Sequence, residues 1–288
     1  MANPEGTLRM RIIKAAAVRD CVRRLCVEAN VNLPADVCSR IRECRAAESW
    51  PAAQSVMEKI EENFALAREK KIPICQDTGI TCVFLDVGDG VYIEGDIREA
   101  VNEGVRLGSA EGYLRNSMAA DPLRRVNTGD NTPAMLYIES VSGGELTVTV
   151  APKGAGSENM SRVKMLTPAG GRKGIVDFVL DTVLEAGPNP CPPIVAGIGI
   201  GGNFDKAALL AKRALLRPIP SSHPDPLYAG LEAELLEKIN ALGIGPSGYG
   251  GKTTALAVMI ETMAVHIASL PCAVNINCHA SRHAKEVL

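Results

Sequence analysis

The stretch Ile194-Val195-Ala196-Gly197-Ile198-Gly199-Ile200-Gly201-Gly202-Asn203-Phe204-Asp205 runs directly into Lys206-Ala207-Ala208-Leu209-Leu210-Ala211-Lys212-Arg213-Ala214-Leu215-Leu216. Its first part is a short apolar run, which predicts a buried strand around Ile194 to Ile200. Its second part spaces apolar residues at a helical period, which predicts a helix from Asp205 to Leu216. A strand feeding a helix is the building step of α/β folds. Outward from it, helical patterns cover Gly174 to Glu185 and Leu227 to Leu242, and a last strand is expected at Ala273 to Ile276. Further back, Met135 to Val141 and Leu146 to Val150 read as strands joined by Ser142-Gly143-Gly144, a hairpin signal. Ile80 to Val87 is another β-branched run, closed by Gly88-Asp89-Gly90, and Glu99 to Leu107 reads as a helix. From Leu8 to about Lys71 the apolar spacing is helical, punctuated at Asn32 to Pro34 and Ser49 to Pro51, giving two or three helices. The expectation is a mixed α/β (α+β) fold forming one domain over residues 1–288. A helical N-terminal layer, about 7–71, would pack on a mixed sheet with crossover helices, about 72–288.

Composition narrows the function. With 288 residues, 46% of them hydrophobic, the chain can bury a large core. The formal net charge is -2 and the basic residues are scattered, which argues against a nucleic-acid partner. Thr253 to Ile276 would be long enough to cross a bilayer, but Glu261, His266, Pro271 and Asn275 interrupt it, so no membrane span is expected. Met1 to Thr7 lacks a basic segment leading into an apolar run, and a cytoplasmic location is expected. Nine cysteines in a chain of this length have no need to act as disulfide staples.

Three of those cysteines stand at loop edges: Cys75 in Pro73-Ile74-Cys75-Gln76-Asp77-Thr78-Gly79, Cys191 in Asn189-Pro190-Cys191-Pro192-Pro193, and Cys278 in Asn277-Cys278-His279. Proline stiffens such loops and Gly79 permits a sharp turn. Three thiolates from separate loops suit a cubane cluster with one iron left open. The residues equally suit ordinary buried thiols, or a zinc site completed by His266 or His279. Cys21, Cys26, Cys38, Cys44, Cys82 and Cys272 lie in helical or apolar runs and read as packing residues.

Two glycine-rich stretches suggest a rival class, a nucleotide-binding protein. Gly197 to Gly202 satisfies G-x-G-x-x-G between a strand and a helix, but no acidic residue closes a second strand, and close packing explains the glycines as well. Gly245-Pro246-Ser247-Gly248-Tyr249-Gly250-Gly251-Lys252-Thr253 approaches a P-loop, but has Pro246 where glycine is required. An anion-binding turn with Lys252 facing a carboxylate is the milder reading. Lys153-Gly154-Ala155-Gly156-Ser157-Glu158-Asn159 suits a polar ligand or a solvent turn, and Arg115 a carboxylate or a surface ion pair.

In order and spacing, these segments resemble the alpha subunit of the class I fumarase and tartrate dehydratase family. The resemblance rests on the Cys75, Cys191 and Lys252 loops quoted above, on Asn127-Thr128-Gly129-Asp130-Asn131-Thr132-Pro133-Ala134 and Gly156-Ser157-Glu158-Asn159-Met160-Ser161, and on His266-Ile267-Ala268-Ser269-Leu270-Pro271. It implies a hydro-lyase with a 4Fe-4S cluster held by Cys75, Cys191 and Cys278. It further implies substrate contacts from Gln76, Asp77, Arg115, Gly154 and Gly156, with Lys252 beside them, and acid–base or orienting roles for Asp77 and His266. The expected reaction is reversible hydration of fumarate to L-malate, with L-tartrate dehydration or mesaconate hydration as alternatives. The end of the chain at Leu288, soon after the third cysteine, implies a separate beta subunit, and the family suggests a dimer of heterodimers. Ala155 interrupts a glycine run of many relatives, and Met259 replaces a histidine of some.

Overall fold

A computed structural model of the chain describes residues 10–288. The segment read above as lacking an export signal and the start of the expected helical layer lie outside the described residues. In chain order the elements are β1 (Arg11–Lys14), α1 (Ala15–Val31), α2 (Ala35–Ala47), α3 (Pro51–Lys70), β2 (Ile80–Gly88), β3 (Val91–Glu94), α4 (Ile97–Glu111), β4 (Met135–Val141), β5 (Leu146–Lys153), α5 (Ala155–Glu158), β6 (Arg162–Leu166), α6 (Gly171–Ala186), β7 (Ile194–Gly202), α7 (Phe204–Ala214), α8 (Pro226–Ala241), β8 (Ala255–Val265), β9 (Leu270–Asn277) and β10 (Ala284–Val287). The fold is mixed α/β. The described residues divide into two compact units, one of 10–32, Lys70–Lys153 and Arg282–Leu288, the other of Leu33–Glu69 and Gly154–Ser281. Two or three N-terminal helices were expected and three are found, of which α1 belongs with the first unit and α2 and most of α3 with the second.

In the first unit a four-stranded sheet runs β10-β5-β2-β4. The expected hairpin of β4 and β5 is not formed, because β2 lies between them, parallel to β4 and antiparallel to β5. Their short connection instead crosses the end of β2, where the Gly88 amide donates to the Glu145 carbonyl at 2.9 Å. Alternation marks which face of a strand is buried; it does not name the neighbouring strand. The stripe Val18, Cys21, Val22, Leu25 and Cys26 of α1 is buried against Val101 and Val105 of α4 and Leu146, Val148 and Val150 of β5. Each of these valines and leucines contributes about 1.5–3 kcal/mol on burial.

In the second unit the sheet order is β6-β9-β7-β8, with β8 parallel and β9 antiparallel to β7. The apolar stretch from Thr253 to Ile276 holds two strands, buried over Ala255 to Ile260 and again over Pro271 to Ile276. Along β7 the residues alternate. Ala196, Ile198 and Ile200 join the core with Leu231, Leu235 and Ile239 of α8 and Val179 of α6, while Gly197 and Gly199 face α7. A Cβ at either glycine would collide with the Ala211 or Ala207 carbonyl. The G-x-G pattern is thus the small face of a strand on which a helix lies directly. Asn203 caps α7 through Lys206 N at 3.1 Å, and Asp225 caps α8 through Leu227 N at 2.8 Å. Among the described residues no helix is long and apolar enough to cross a membrane.

Candidate functional site

Burial sorts the nine thiols. Cys75 and Cys191 are exposed and Cys278 is partly so, while Cys21, Cys26, Cys38, Cys44, Cys82 and Cys272 are buried. Burial pushes the Cys26 and Cys272 thiols up to about 12, which keeps them protonated and inert.

In the second unit, Cys191 sits at φ 55 between two prolines, a left-handed conformation that costs a non-glycine residue about 1–2 kcal/mol. It is held there by its own amide donating to Pro188 O at 3.0 Å and by its carbonyl, which accepts the His279 amide at 3.3 Å and lies 3.0 Å from His279 Nδ1. Cys191 precedes β7 and Cys278 follows β9. Because Val195 pairs with Asn277 in that antiparallel ladder, both loops stand at the same end of the sheet. The turn of Gly154 and Gly156 joins them. A Cβ at Gly156 would lie 3.7 Å from Asn189 O, and Glu158 accepts Asn275 Nδ2 from β9 at 2.6 Å.

His266 lies elsewhere. It follows β8 and precedes β9, so the eight residues of β9 separate it from Cys278, a run of about 26 Å at the usual strand rise. It lines a largely apolar cavity of about 360 Å³ with Arg172, Ile200, Tyr228 and Leu231, and its Nδ1 accepts the Ala268 amide at 3.2 Å.

Lys252 also has a local setting. Its amide donates to Glu48 Oε2 at 2.7 Å and its ammonium to Ala47 O at 3.3 Å. Glu48, only 4% exposed, also accepts the amides of Ser49 and Trp50. Burial opposes its charge, but the amides of Trp50, Lys252 and Ser49 outweigh that and lower its pKa. The carboxylate gathered by this glycine-rich turn is therefore the chain's own. The turn in addition props the Cys191 loop, Ser247 N donating to Pro192 O at 2.8 Å.

In the first unit, the Cys75 loop brings three expected residues together with Arg115. Asp77 Oδ1 accepts Gly79 N at 3.0 Å, and the buried Thr78 hydroxyl donates to Arg115 O at 3.2 Å. Gly79 has φ +78, and a Cβ there would lie 2.7 Å from the Lys153 carbonyl carbon. The Arg115 segment is pinned in turn by Asn131, whose Oδ1 accepts Ser117 N at 2.6 Å, and by Asn127, which donates to Asn116 O at 2.9 Å. For Asp130, burial opposes ionisation, but the Thr132 hydroxyl and amide and the Arg106 guanidinium prevail and bring its pKa down to about 2. The motif around Asn127 to Pro133 is the brace of the Arg115 loop.

Sequence reasoning missed Arg282. It is 5% exposed, its Nη2 donates to the Asp77 carbonyl, and its Nε and Nη1 have no hydrogen-bond partner among the described residues. Only its place four residues after Cys278 could have drawn attention to it. Also missed were Thr78, Asn131, Glu158, Lys212 and Asn275 as holding residues. Among the described residues no three His, Cys, Asp or Glu side chains are grouped as a ready metal site. The donor chemistry nevertheless fits a thiolate-bound cluster, since the three loop thiols are those that burial leaves accessible.

The sequence matches the family described as fumarate hydratase (Fumerase) over residues 19–287. It is 44% identical over 274 residues to the putative L(+)-tartrate dehydratase subunit alpha of Methanocaldococcus jannaschii, covering 93% of this chain and 96% of that one. It is 32% identical over 257 residues to the L(+)-tartrate dehydratase subunit alpha of Escherichia coli K12, covering 88% and 84% respectively.

Proposed function

Because the chain belongs to the fumarate hydratase (Fumerase) family, a family of hydro-lyases, we propose that it is the iron–sulfur alpha subunit of an L-tartrate dehydratase acting with a separate beta subunit. The observation that carries the iron–sulfur part is the division of the cysteines: Cys75, Cys191 and Cys278 are the three that burial does not take. The sequence reading put fumarate hydration first and tartrate second. The names of the relatives reverse that order.

Cys75, Cys191 and Cys278 would hold the cluster, which supplies an open iron as Lewis acid for a substrate hydroxyl or carboxylate. The chain's own residues do the rest. Arg115 pairs with a carboxylate of the dicarboxylate, and Gln76 hydrogen-bonds the substrate beside it. Gly154 and Gly156 let the backbone come close to the other carboxylate. Asp77, its carboxylate oriented by the Gly79 amide, takes the proton from the carbon next to a carboxylate while hydroxide leaves the neighbouring carbon. Water is lost, an enol forms, and it tautomerises to a 2-keto dicarboxylate without redox change. His266 stands at the other end of its sheet from Cys191 and Cys278, and we assign it no proton transfer there. Lys252 is assigned to holding the Cys191 side of the site through its own turn. The assembly proposed is a dimer of heterodimers in the cytoplasm.

The test is anaerobic purification with the partner subunit, assay of iron and acid-labile sulfide, and turnover of L-tartrate, L-malate, fumarate and mesaconate. Iron and sulfide in equal proportion, lost in Cys75→Ser, Cys191→Ser and Cys278→Ser but kept in Cys272→Ser, together with preference for L-tartrate, is the expected result. Zinc without sulfide would overturn the cofactor, and preference for L-malate would overturn the substrate.

A further inference from the structure

Arg217 shows how this fold accommodates a buried arginine. Its side chain is 16% exposed and donates to Glu232, itself buried, at 2.7 Å. Burial demands such pairing, because a charge removed from water is costly unless an opposite charge meets it. Arg282 breaks the pattern. It is buried, yet its Nε and Nη1 have no partner among the described residues, and its Nη2 donates to a neutral acceptor, the Asp77 carbonyl. The two unpaired nitrogens are closed off from solvent as well, so they are no seat for a ligand. What Arg282 presents to its surroundings is charge.

That charge stands close to a proposed cluster ligand. Asp77 follows Cys75 by two residues, a span of at most about 7 Å between Cα atoms, and its carbonyl accepts the Arg282 bond. The guanidinium is therefore within about 13 Å of the Cys75 Cα. Along the chain Arg282 is also four residues from Cys278. A cubane held by three thiolates is net negative, and net charge is one of the levers that set the potential of such clusters. Two unit charges about 13 Å apart, at an effective dielectric constant of about 20, still interact by more than RT.

We propose that Arg282 is a charge-balancing residue for the cluster on Cys75, Cys191 and Cys278, its buried and uncompensated cation offsetting the cluster's negative charge and favouring the reduced state. The proposal rests on the reading of those three cysteines as ligands. It is separate from the hold that Arg282 has on the Asp77 backbone, and three variants divide the two roles. Arg282→Gln keeps an N–H donor for the carbonyl and loses the charge. Arg282→Lys keeps both, and Arg282→Met loses both.

The experiment is a reductive titration of the cluster-loaded complex with the beta subunit. Dithionite supplies one electron per cluster, electron paramagnetic resonance counts the reduced cluster, and iron and sulfide are assayed alongside. In Arg282→Gln and Arg282→Met the reduction equilibrium should fall about threefold to tenfold, a midpoint lower by about 30–60 mV for one electron. Arg282→Lys should stay within about twofold of the unaltered complex, with iron and sulfide unchanged in all three. A midpoint in Arg282→Gln equal to that of the unaltered complex would assign the effect to the bond and overturn the proposal, as would an equal fall in Arg282→Lys. If Arg282→Met does not fold, Arg282→Gln and Arg282→Lys decide. An unaltered complex that holds no iron and sulfide sinks the reading of the three cysteines instead, and the cluster role of Arg282 with it.

Discussion

The loops of Cys75 and Cys191 look alike in sequence, each a cysteine set close to proline, yet they are held by different means. The Cys75 loop is fastened from afar. Ile74 N donates to Asn30 O at 2.9 Å, Thr78 to Arg115 O, and Arg282 to the Asp77 carbonyl. The Cys191 loop is fastened through backbone, by its own turn with Asn189 N on Ala186 O at 3.1 Å and Cys191 N on Pro188 O at 3.0 Å, and by Ser247 N on Pro192 O at 2.8 Å and His279 N on Cys191 O at 3.3 Å, between rings that fix φ. The difference follows from what each loop presents. After Cys75 come two polar side chains, Gln76 and Asp77, that must be aimed, and aiming needs anchors outside the loop. Cys191 is followed by two prolines and has only a thiol to offer, so ring stiffness and backbone bonds serve in place of side-chain anchors.

The largest expected effect that would break the comparison is at Gly79. Gly79→Ala puts a side chain against the Lys153 backbone at φ +78, and backbone cannot give way cheaply. A loss of about 3–4 kcal/mol in urea unfolding is expected, and a loss below about 1 kcal/mol would show that the Cys75 loop is not set from outside. Gly248→Ala, at φ +81, meets the Pro188 Cβ at 2.6 Å. A side chain can shift where backbone cannot, so about 1–2 kcal/mol is expected, with faster alkylation of Cys191 as its prop loosens. Alkylation at an unchanged rate would free the Cys191 loop from its supporting turn. The smallest stability effect is at Arg282. Its Nε and Nη1 are already unpaired among the described residues, so Arg282→Met should change stability by no more than about 1 kcal/mol. Hydrogen exchange at Gln76 to Thr78 should nevertheless accelerate. A stability loss as large as that of Gly79→Ala would mean that Arg282 supports the core more than the loop.

Much of the architecture was legible in the chain itself. The helices α4, α6, α7 and α8 lie within a few residues of their apolar periodicity, because a 3.6-residue stripe specifies both a conformation and a buried face. The strand β7 was legible for the same local reason, and so were the three loop cysteines, set apart by proline and glycine around them. Other features depend on the fold. β8 read only as an apolar run, since its first half, Ala255 to Ile260, is buried on both faces and so loses its alternation. β4 and β5 read as partners, since nothing local announces that β2 will come between them.

The site divides in the same way. Residue types and order pointed to thiolate ligands and carboxylate-binding groups, because such chemistry demands particular side chains. Which thiols reach solvent, and which are pushed up to about 12 by burial, was settled only when the core closed. The same holds for Glu48 filling the turn of Lys252, for His266 at the far end of its sheet, and for Lys212 meeting Glu158 across 54 residues. Conformation is chosen by neighbours along the chain. Charge pairing, exposure and the company a residue keeps are chosen by which surfaces are buried together, and no short stretch of sequence contains both members of those contacts.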